Sequence, residues 1–549
     1  MIRRTKTQLA AAAEGAAVGR AQGGYPLSLD GAKKTKTNLL ERIRRFEMPG
    51  AFTVLFVVSI LASVLTCVLP AGSYSKLQYD QDTQMLQVTS PTGQVKEYEA
   101  TQEVLDSLGV NIGVEQFTDG SITKALSIPG TYERLEQHPV GLDEIPAAMV
   151  NGTIEGVDVI VFILVLGGLI GVVRATGAFE SGIMQLTKKT KGREFALVFL
   201  VSVLMMVGGT TIGFEEEAVA FYPILTPVFI AMGYDAVVTV GAIFLASSLG
   251  TTFSTINPFS SVIASNAAGT LFTEGLAWRA GGLAVSAVCY ILYLHWYSNK
   301  VKADPAFSYA YEDRDEFNAL WSMGDAGEVP DFTAKRRLVL ILFAAVFPIM
   351  VYGVMALDWW FPQMAAFFLA DAIVIMLVCG CGKDKVDEKT LTDAFANGAS
   401  SLVGVSLIIG LARGVNYIMN QGLISDTLLY WSSNLVSGMN GGLFIIVMML
   451  VFFVLGFVVP SSSGLAVLSM PILAPLADSV GIPRFVIVCA YQFGQYAMLY
   501  LAPTGLVMAT LQMLHLRYNH WLRFVWPVVA FTLVFGGALL VAMTMIYGA

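Results

Sequence analysis

Charge is what this sequence has least of. Of its 549 residues, 13% are Asp, Glu, Lys or Arg, where a soluble chain carries about 25%. That excludes an ordinary water-soluble enzyme or binding domain. Histidine is scarce too, at four residues, and none falls in an HExxH or other metal-binding spacing. The five cysteines, Cys67, Cys289, Cys379, Cys381 and Cys489, each lie in or beside an apolar segment. Cys379-Gly-Cys381 is too tight and too isolated for a zinc site, which wants four ligands. All five read as small packing residues. The alternating strands of an outer-membrane barrel are missing, and no signal peptide is expected. The net charge of −8 is unevenly placed and says little by itself. No nucleic-acid partner is expected.

What is present is apolar. Hydrophobic residues make up 55% of the chain and mean hydropathy is +0.65. The apolar runs suit helices, since a span needs about 20 residues. The class is an all-α polytopic membrane protein. Residues 1–47 hold ten Lys/Arg against four Asp/Glu, so this segment is expected in the cytoplasm. Its end, 36–47, reads as a basic amphipathic surface helix. The first span, about 50–71, then runs outward. Loop 73–156 has four Lys/Arg and thirteen Asp/Glu, which suits the outside. Its alternating stretches fit either a small strand-containing lid or a mobile loop. Further spans are expected at about 157–179, 236–269 with a break, 277–298, 337–356, 362–381, 402–422, from 484 with a break at 501–505, and 521–547. Segment 299–336 is a cytoplasmic linker between a first half, 48–298, and a second, 337–549.

Two stretches fit no clean span. At 195–233 an apolar run enters Gly208-Gly209-Thr210-Thr211-Ile212-Gly213 and then three glutamates, Glu215, Glu216 and Glu217, before a return interrupted by Pro223 and Pro227. At 441–481 an apolar run enters Pro460-Ser461-Ser462-Ser463-Gly464 and returns through Pro471 and Pro475. Both read as re-entrant hairpins, the first from the cytoplasmic side and the second from the outer side. Pro223-Ile224-Leu225-Thr226-Pro227 recurs as Pro471-Ile472-Leu473-Ala474-Pro475, and Gly233 and Gly481 keep one offset. Together these landmarks give an inverted-topology repeat: about nine full spans, two hairpins, and broken helices at the midplane. Such an arrangement points to a secondary transporter with its site where the repeats meet.

Four broken segments are expected there. The first tip offers Gly209, Thr210, Thr211 and the glutamates. The second segment offers Thr251, Thr252, Ser254, Thr255 and Asn257. The third is Ser461, Ser462, Ser463 and Gly464. The fourth is Thr504, preceded by Gln492 and Gln495. Free N–H groups where a half-helix begins attract a carboxylate, so the serine tip reads as a carboxylate receptor. Free carbonyls and hydroxyls suit Na⁺ or an ammonium, with Thr255, Asn257, Ser463 and Thr504 as the candidate Na⁺ ligands. Carboxylates at bilayer depth are costly and need a cation, a proton or a partner. The competing reading for the glutamates is first-turn acids complementing a helix dipole. Asp371 and Arg413 are expected to pair structurally, with each other or with a site glutamate.

The stretches GFEEEAVAFYPILTPVFIAMGYD, STINPFSSVIA, and PSSSGLAVLSMPILAPLADSVG with YQFGQ resemble the YfcC-type group. That group falls in the family of C4-dicarboxylate anaerobic carriers and arginine/ornithine-type antiporters. The resemblance runs from Met48 onward. It implies the ion transporter superfamily, with paired hairpins, a homodimer and elevator-like motion. Better-known members carry Ser-Asn-Thr at the first tip, where this chain has glutamates. The expected function is a secondary carrier for a small charged metabolite. A basic amino acid is the first choice, exchanged or coupled to H⁺ or Na⁺. Glu216 and Glu217 would receive its cationic group or carry the proton. A C4-dicarboxylate or short-chain carboxylate carrier is the alternative, and a channel a further one. No other cofactor is expected, and the expected partners are the substrate, membrane lipid and a second copy. The expected location is the inner cell membrane, with a cytoplasmic N-terminus.

Overall fold

The computed structural model describes residues 51–548, apart from 111, 119–121, 123, 322–330, 358, 383–384 and 437–438. The chain divides into units 1–47 and 48–549, so the amphipathic helix expected at 36–47 lies outside the described residues. Helix α1 (Ala51–Val68) leads to a small domain. A four-stranded antiparallel sheet in the order β4-β3-β2-β5 is built from β2 (Lys76–Asp80), β3 (Met85–Thr89), β4 (Val95–Glu99) and β5 (Leu126–Ser127). Two short helices, α2 (Gln102–Ser107) and α3 (Glu115–Thr118), precede β5. A second, two-stranded sheet pairs β1 (Gly72–Ser73) with β6 (Glu133–Arg134). Leu77, Leu86, Leu105, Phe117 and Leu126 fill the core of this domain. The strands fit the strand-containing reading of the loop, and its last part is helical. Helix α4 (Ile145–Glu155) lies there and continues, across Gly156, into α5 (Val157–Ala175).

The rest is helical. After α6 (Ala178–Thr190) comes α7 (Glu194–Ile212), which ends where Gly213 takes φ +71°, a conformation glycine adopts without strain. A 3₁₀ turn (Glu216–Phe221) leads into α8 (Tyr222–Ala231), the return arm. Then α9 (Ala236–Val240) passes through a π-helical turn into α10 (Ala246–Thr252), and the chain breaks. It resumes through a second π turn into α11 (Ile263–Ala268), followed by α12 (Leu276–Ala303) and a linker containing α13 (Arg314–Trp321). The second half begins with α14 (Ala334–Leu357) and α15 (Phe361–Gly380). It then repeats the first in order. Helices α16 (Glu388–Ser401) and α17 (Val403–Gln421) answer α4 and α5, and α18 (Ser425–Val436) answers α6. Helices α19 (Gly441–Val458) and α20 (Ser462–Ser479) form the second hairpin. The second broken helix is α21 (Arg484–Leu499) with α22 (Gly505–Met513), and α23 (Tyr518–Tyr547) closes the chain.

Among the described residues, eight helices are long and apolar enough to cross a membrane by length and composition. Two of these are the hairpin arms α7 and α19; shorter apolar helices run Glu217–Ala231, Ala236–Thr252 and Ser462–Asp478. The molecule is thus an all-α polytopic membrane protein with one small β-containing insertion. Packing gathers the helices into two groups. One holds α1, α4, α5 and α14–α17; the other holds both hairpins, both broken helices, α12 and α23. Helix α17 bridges them by lying on α22.

Glycines decide the closest crossings. A Cβ on Gly209 of α7 would sit 2.0 Å from the Ser247 carbonyl oxygen, and one on Gly250 of α10 would sit 2.1 Å from that of Met206. In the second repeat a Cβ on Gly494 of α21 would meet the Met449 carbonyl oxygen of α19 at 2.1 Å. The same arm therefore touches the same broken helix, backbone to backbone, in both halves.

The 72–134 domain is tied to α18. Asp426 accepts from Lys76 Nζ (2.8 Å), Ser73 Oγ (3.1 Å) and the Tyr74 N–H (3.1 Å). The Tyr132 ring stacks on Tyr430 at 4.3 Å. Asp426→Ala strips an acceptor from three donors, a change worth about 1–3 kcal/mol. It is expected to speed limited proteolysis between residues 72 and 134 by about tenfold while the helical body keeps its unfolding temperature. At another loop, burial opposes ionisation of Asp313, but bonds to His520 (2.7 Å) and Arg517 (2.5 Å) prevail and hold its carboxyl below the usual value. This pair pins the linker to the start of α23.

Candidate functional site

The first hairpin tip and the first break are knitted together by the polar side chains expected to form a site. Thr210 Oγ1 donates to the Phe253 carbonyl (3.1 Å) and accepts the Thr255 N–H (3.0 Å). The Asn257 amide donates to the Gly209 carbonyl (2.9 Å), while its Oδ1 accepts from the Phe259 N–H (2.8 Å). Thr251 Oγ1 lies 3.3 Å from the same Gly209 carbonyl. Thr251, Thr252, Ser254 and Asn257 are fully buried, so these hydroxyls and amides satisfy backbone freed by the broken helices. Thr211 differs, bonding only back to the Val207 carbonyl (2.6 Å) on its own helix.

The glutamates do not lie on one regular helix. Glu215 precedes the 3₁₀ turn, with φ −122° and ψ −72°. Its carboxylate acts electrostatically on the phenols of Tyr491, Tyr496 and Tyr500 of the second broken helix. Glu217 is 9% exposed and folds back so that Oε2 accepts the Glu215 N–H at 3.2 Å. Glu217 thus does part of what a helix-start acid does, while Glu215 lies within electrostatic reach of the second broken helix. The Glu216 side chain lies outside the described residues.

The second tip opens α20. Ser461 Oγ accepts the Gly464 N–H (3.2 Å), an N-cap. Tyr491 Oη donates to the Ser462 carbonyl (2.6 Å), so one tyrosine touches this tip and feels Glu215 of the other. Ser463 Oγ accepts from Lys124 Nζ (2.5 Å). Gln492 and Gln495 are fully buried. Gln492 Nε2 bonds Ser254 and Ser260 of the first broken helix, and Gln495 Nε2 lies 3.4 Å from the Val459 carbonyl. Among the described residues, the Oε1 atoms of both have no hydrogen-bond partner. An amide turned the other way would leave a different atom open, but one in each remains.

The structure therefore brings together Gly209, Thr210, Thr251, Thr255 and Asn257 on one side. It joins Tyr491 to Ser462, Gln492 to Ser254 and Ser260, and Gln495 to the Val459 carbonyl beside the second tip. Among the described residues no hydrogen bond joins Ser463 or Thr504 to Thr255 or Asn257. Thr504 begins α22, where a Cβ on the adjacent Gly505 would lie 3.2 Å from Ala412 of α17. Nor does an ion pair join Asp371 and Arg413. Arg413 donates to the Glu155 carbonyl at 2.9 Å, and the buried Oδ2 of Asp371 has no hydrogen-bond partner. Sequence reasoning missed Tyr491, Tyr496, Tyr500 and Ser260. Their spacing in YQFGQYAMLY is a signal, since residues 491, 495 and 499, or 492 and 496, share a helix face.

A family model described as "DcuC: C4-dicarboxylate anaerobic carrier" matches residues 48–545. The chain belongs to the DcuC family. It is accordingly a multi-pass membrane transporter and not an enzyme. Among its relatives, an "Uncharacterized protein" of Haemophilus influenzae (strain ATCC 51907 / DSM 11121 / KW20 / Rd) is 57% identical over 520 residues. That match covers 94% of this DcuC-family chain and all of the relative. The "Putative basic amino acid antiporter YfcC" of Escherichia coli (strain K12) is 31% identical over 499 residues, covering 87% of this chain and 93% of the relative. Of solved structures, the YdaH transporter of Alcanivorax borkumensis is 13% identical with a TM-score of 0.37, over 91% of this chain and 100% of that one. MtrF of Neisseria gonorrhoeae, titled for a class of antimetabolite efflux pumps, is 16% identical with the same TM-score, over 93% and 98%.

Proposed function

We propose that this DcuC-family chain is a secondary carrier for a basic amino acid, working by exchange or by coupling to H⁺ or Na⁺ in the inner cell membrane, with its N-terminus in the cytoplasm. One observation carries the reading: Tyr491 bonds the Ser462 carbonyl at the serine-capped start of α20 and lies within electrostatic reach of Glu215 at the other tip. An acid on one side suits an ammonium or guanidinium. Open N–H groups on the other suit an α-carboxylate. The buried amides of Gln492 and Gln495 each have one atom without a hydrogen-bond partner among the described residues, suited to a ligand. The name of the Escherichia coli relative agrees with this substrate class.

A second reading, a C4-dicarboxylate carrier, draws on the family description and on Lys124 beside Ser463. In that case the glutamates serve the coupling cation. The experiment is counterflow in liposomes with labelled arginine, ornithine and succinate, with and without Na⁺ and a pH gradient. Arginine or ornithine counterflow is expected. Succinate counterflow without arginine or ornithine moves the assignment to the second reading, and currents at channel-like rates remove both.

A further inference from the structure

We propose that Lys124, carried by the 72–134 domain, is a substrate-binding residue that holds a carboxylate against the N-terminus of α20. This deepens the reading above and rests on its assignment of the carboxylate to the serine tip.

Lys124 sets a positive charge beside a helix N-terminus, which is electrostatically unfavourable. Its Nζ lies 2.5 Å from Ser463 Oγ, in the first turn of an 18-residue helix. A helix N-terminus carries positive partial charge and favours anions. Lys124 has no carboxylate within ion-pair distance among the described residues, so two like charges face each other. Ser461 satisfies only the Gly464 N–H, and the other first-turn N–H groups have no acceptor inside the helix. An anion between ammonium and helix start resolves both deficits with charge-assisted hydrogen bonds.

A second observation points to a ligand at the same tip. Gln495 is fully buried, its Nε2 beside the Val459 carbonyl just before the serines, and its Oε1 has no partner. A buried polar atom left open is costly unless something meets it. Lys124 is exposed overall, and the protein near it lowers its pKa from the ordinary lysine value by desolvation. A group so placed gains most from an anionic partner. The domain can supply this residue because β5, two residues further on, packs on α20. A carboxylate is the anion that fits both substrate classes considered above.

The test uses the purified full-length chain and calorimetric binding of three probes: L-arginine, succinate and agmatine, which is arginine without its carboxylate. Lys124→Gln is expected to weaken whichever carboxylate ligand the wild type binds by about tenfold or more. Lys124→Arg is expected to stay within about threefold of wild type. Agmatine binding should be weaker than that of arginine and unaffected by either change. Carboxylate binding unchanged in Lys124→Gln overturns the inference, as does an equal loss for agmatine or a wild type that binds neither carboxylate. The two claims separate cleanly. Succinate binding without arginine binding removes the amino acid reading and leaves Lys124 to be judged on succinate. Arginine binding indifferent to Lys124 removes Lys124 alone.

Discussion

Gly250→Leu is expected to reduce transport to background and to lower the yield of folded protein. Even a methyl group there would lie 2.1 Å from a carbonyl oxygen of α7, well inside the contact distance of about 3.5 Å. The obstacle is backbone, so no side chain can swing away. The helices must part, which breaks the Thr251 and Asn257 bonds to Gly209 and with them the tip. Overpacking costs about 1–3 kcal/mol where neighbours can adjust, and here they cannot. Gly494→Leu should behave alike, because it faces the Met449 carbonyl in the second repeat. Gly281, with nothing within 4 Å of a Cβ, is the control, and Gly281→Leu should leave uptake and yield unchanged. Fluorescence-detected size exclusion with liposome uptake checks all three. Wild-type uptake in Gly250→Leu would mean the two helices are not held at this distance.

Glu215→Gln is expected to cut uptake by about thirtyfold or more, on the order of the loss when one partner of a buried charge pair is removed. It should also flatten the pH dependence of uptake. The reason is position: Glu215 is the glutamate whose field reaches the tyrosines of α21. Glu217 is bonded to the tip backbone, so Glu217→Gln should act more on thermal stability than on the pH profile. Uptake of labelled arginine across a pH series, measured beside the unfolding temperature, separates the two. If both variants keep wild-type uptake and its pH profile, the carboxylates serve only the dipole of the return arm.

The hairpins and breaks were legible because each is marked twice in the sequence. A polar or glycine-rich run interrupts an apolar one, and the repeat supplies the same landmark in the other half. The return arms differ in a way that the shared proline pattern concealed. Pro223 falls in the first turn of α8 after a 3₁₀ turn, whereas Pro471 and Pro475 lie inside an α20 already helical from Ser462. At a first turn a proline's missing N–H costs nothing, whereas inside a helix it removes a backbone bond and crowds the carbonyl four residues back. Helix α4 was hidden because IPAAMVNGTIE is short and carries Pro146, Asn151 and Gly152, which read as a loop until α17 packs on it. The site was legible in its hydroxyls and acids but not in its tyrosines, which in an apolar helix look like interface anchors. Lys124 could not have been found, since 339 residues separate it from Ser463.

The glycine crossings give the hairpins a hinge side and a free side. An arm seated backbone to backbone in its neighbour cannot flap without tearing a seam of carbonyl contacts. In each half that seated arm is the first one, α7 on α10 and α19 on α21. On the outer hairpin the second arm is α20, the one on which the lysine-bearing domain rests.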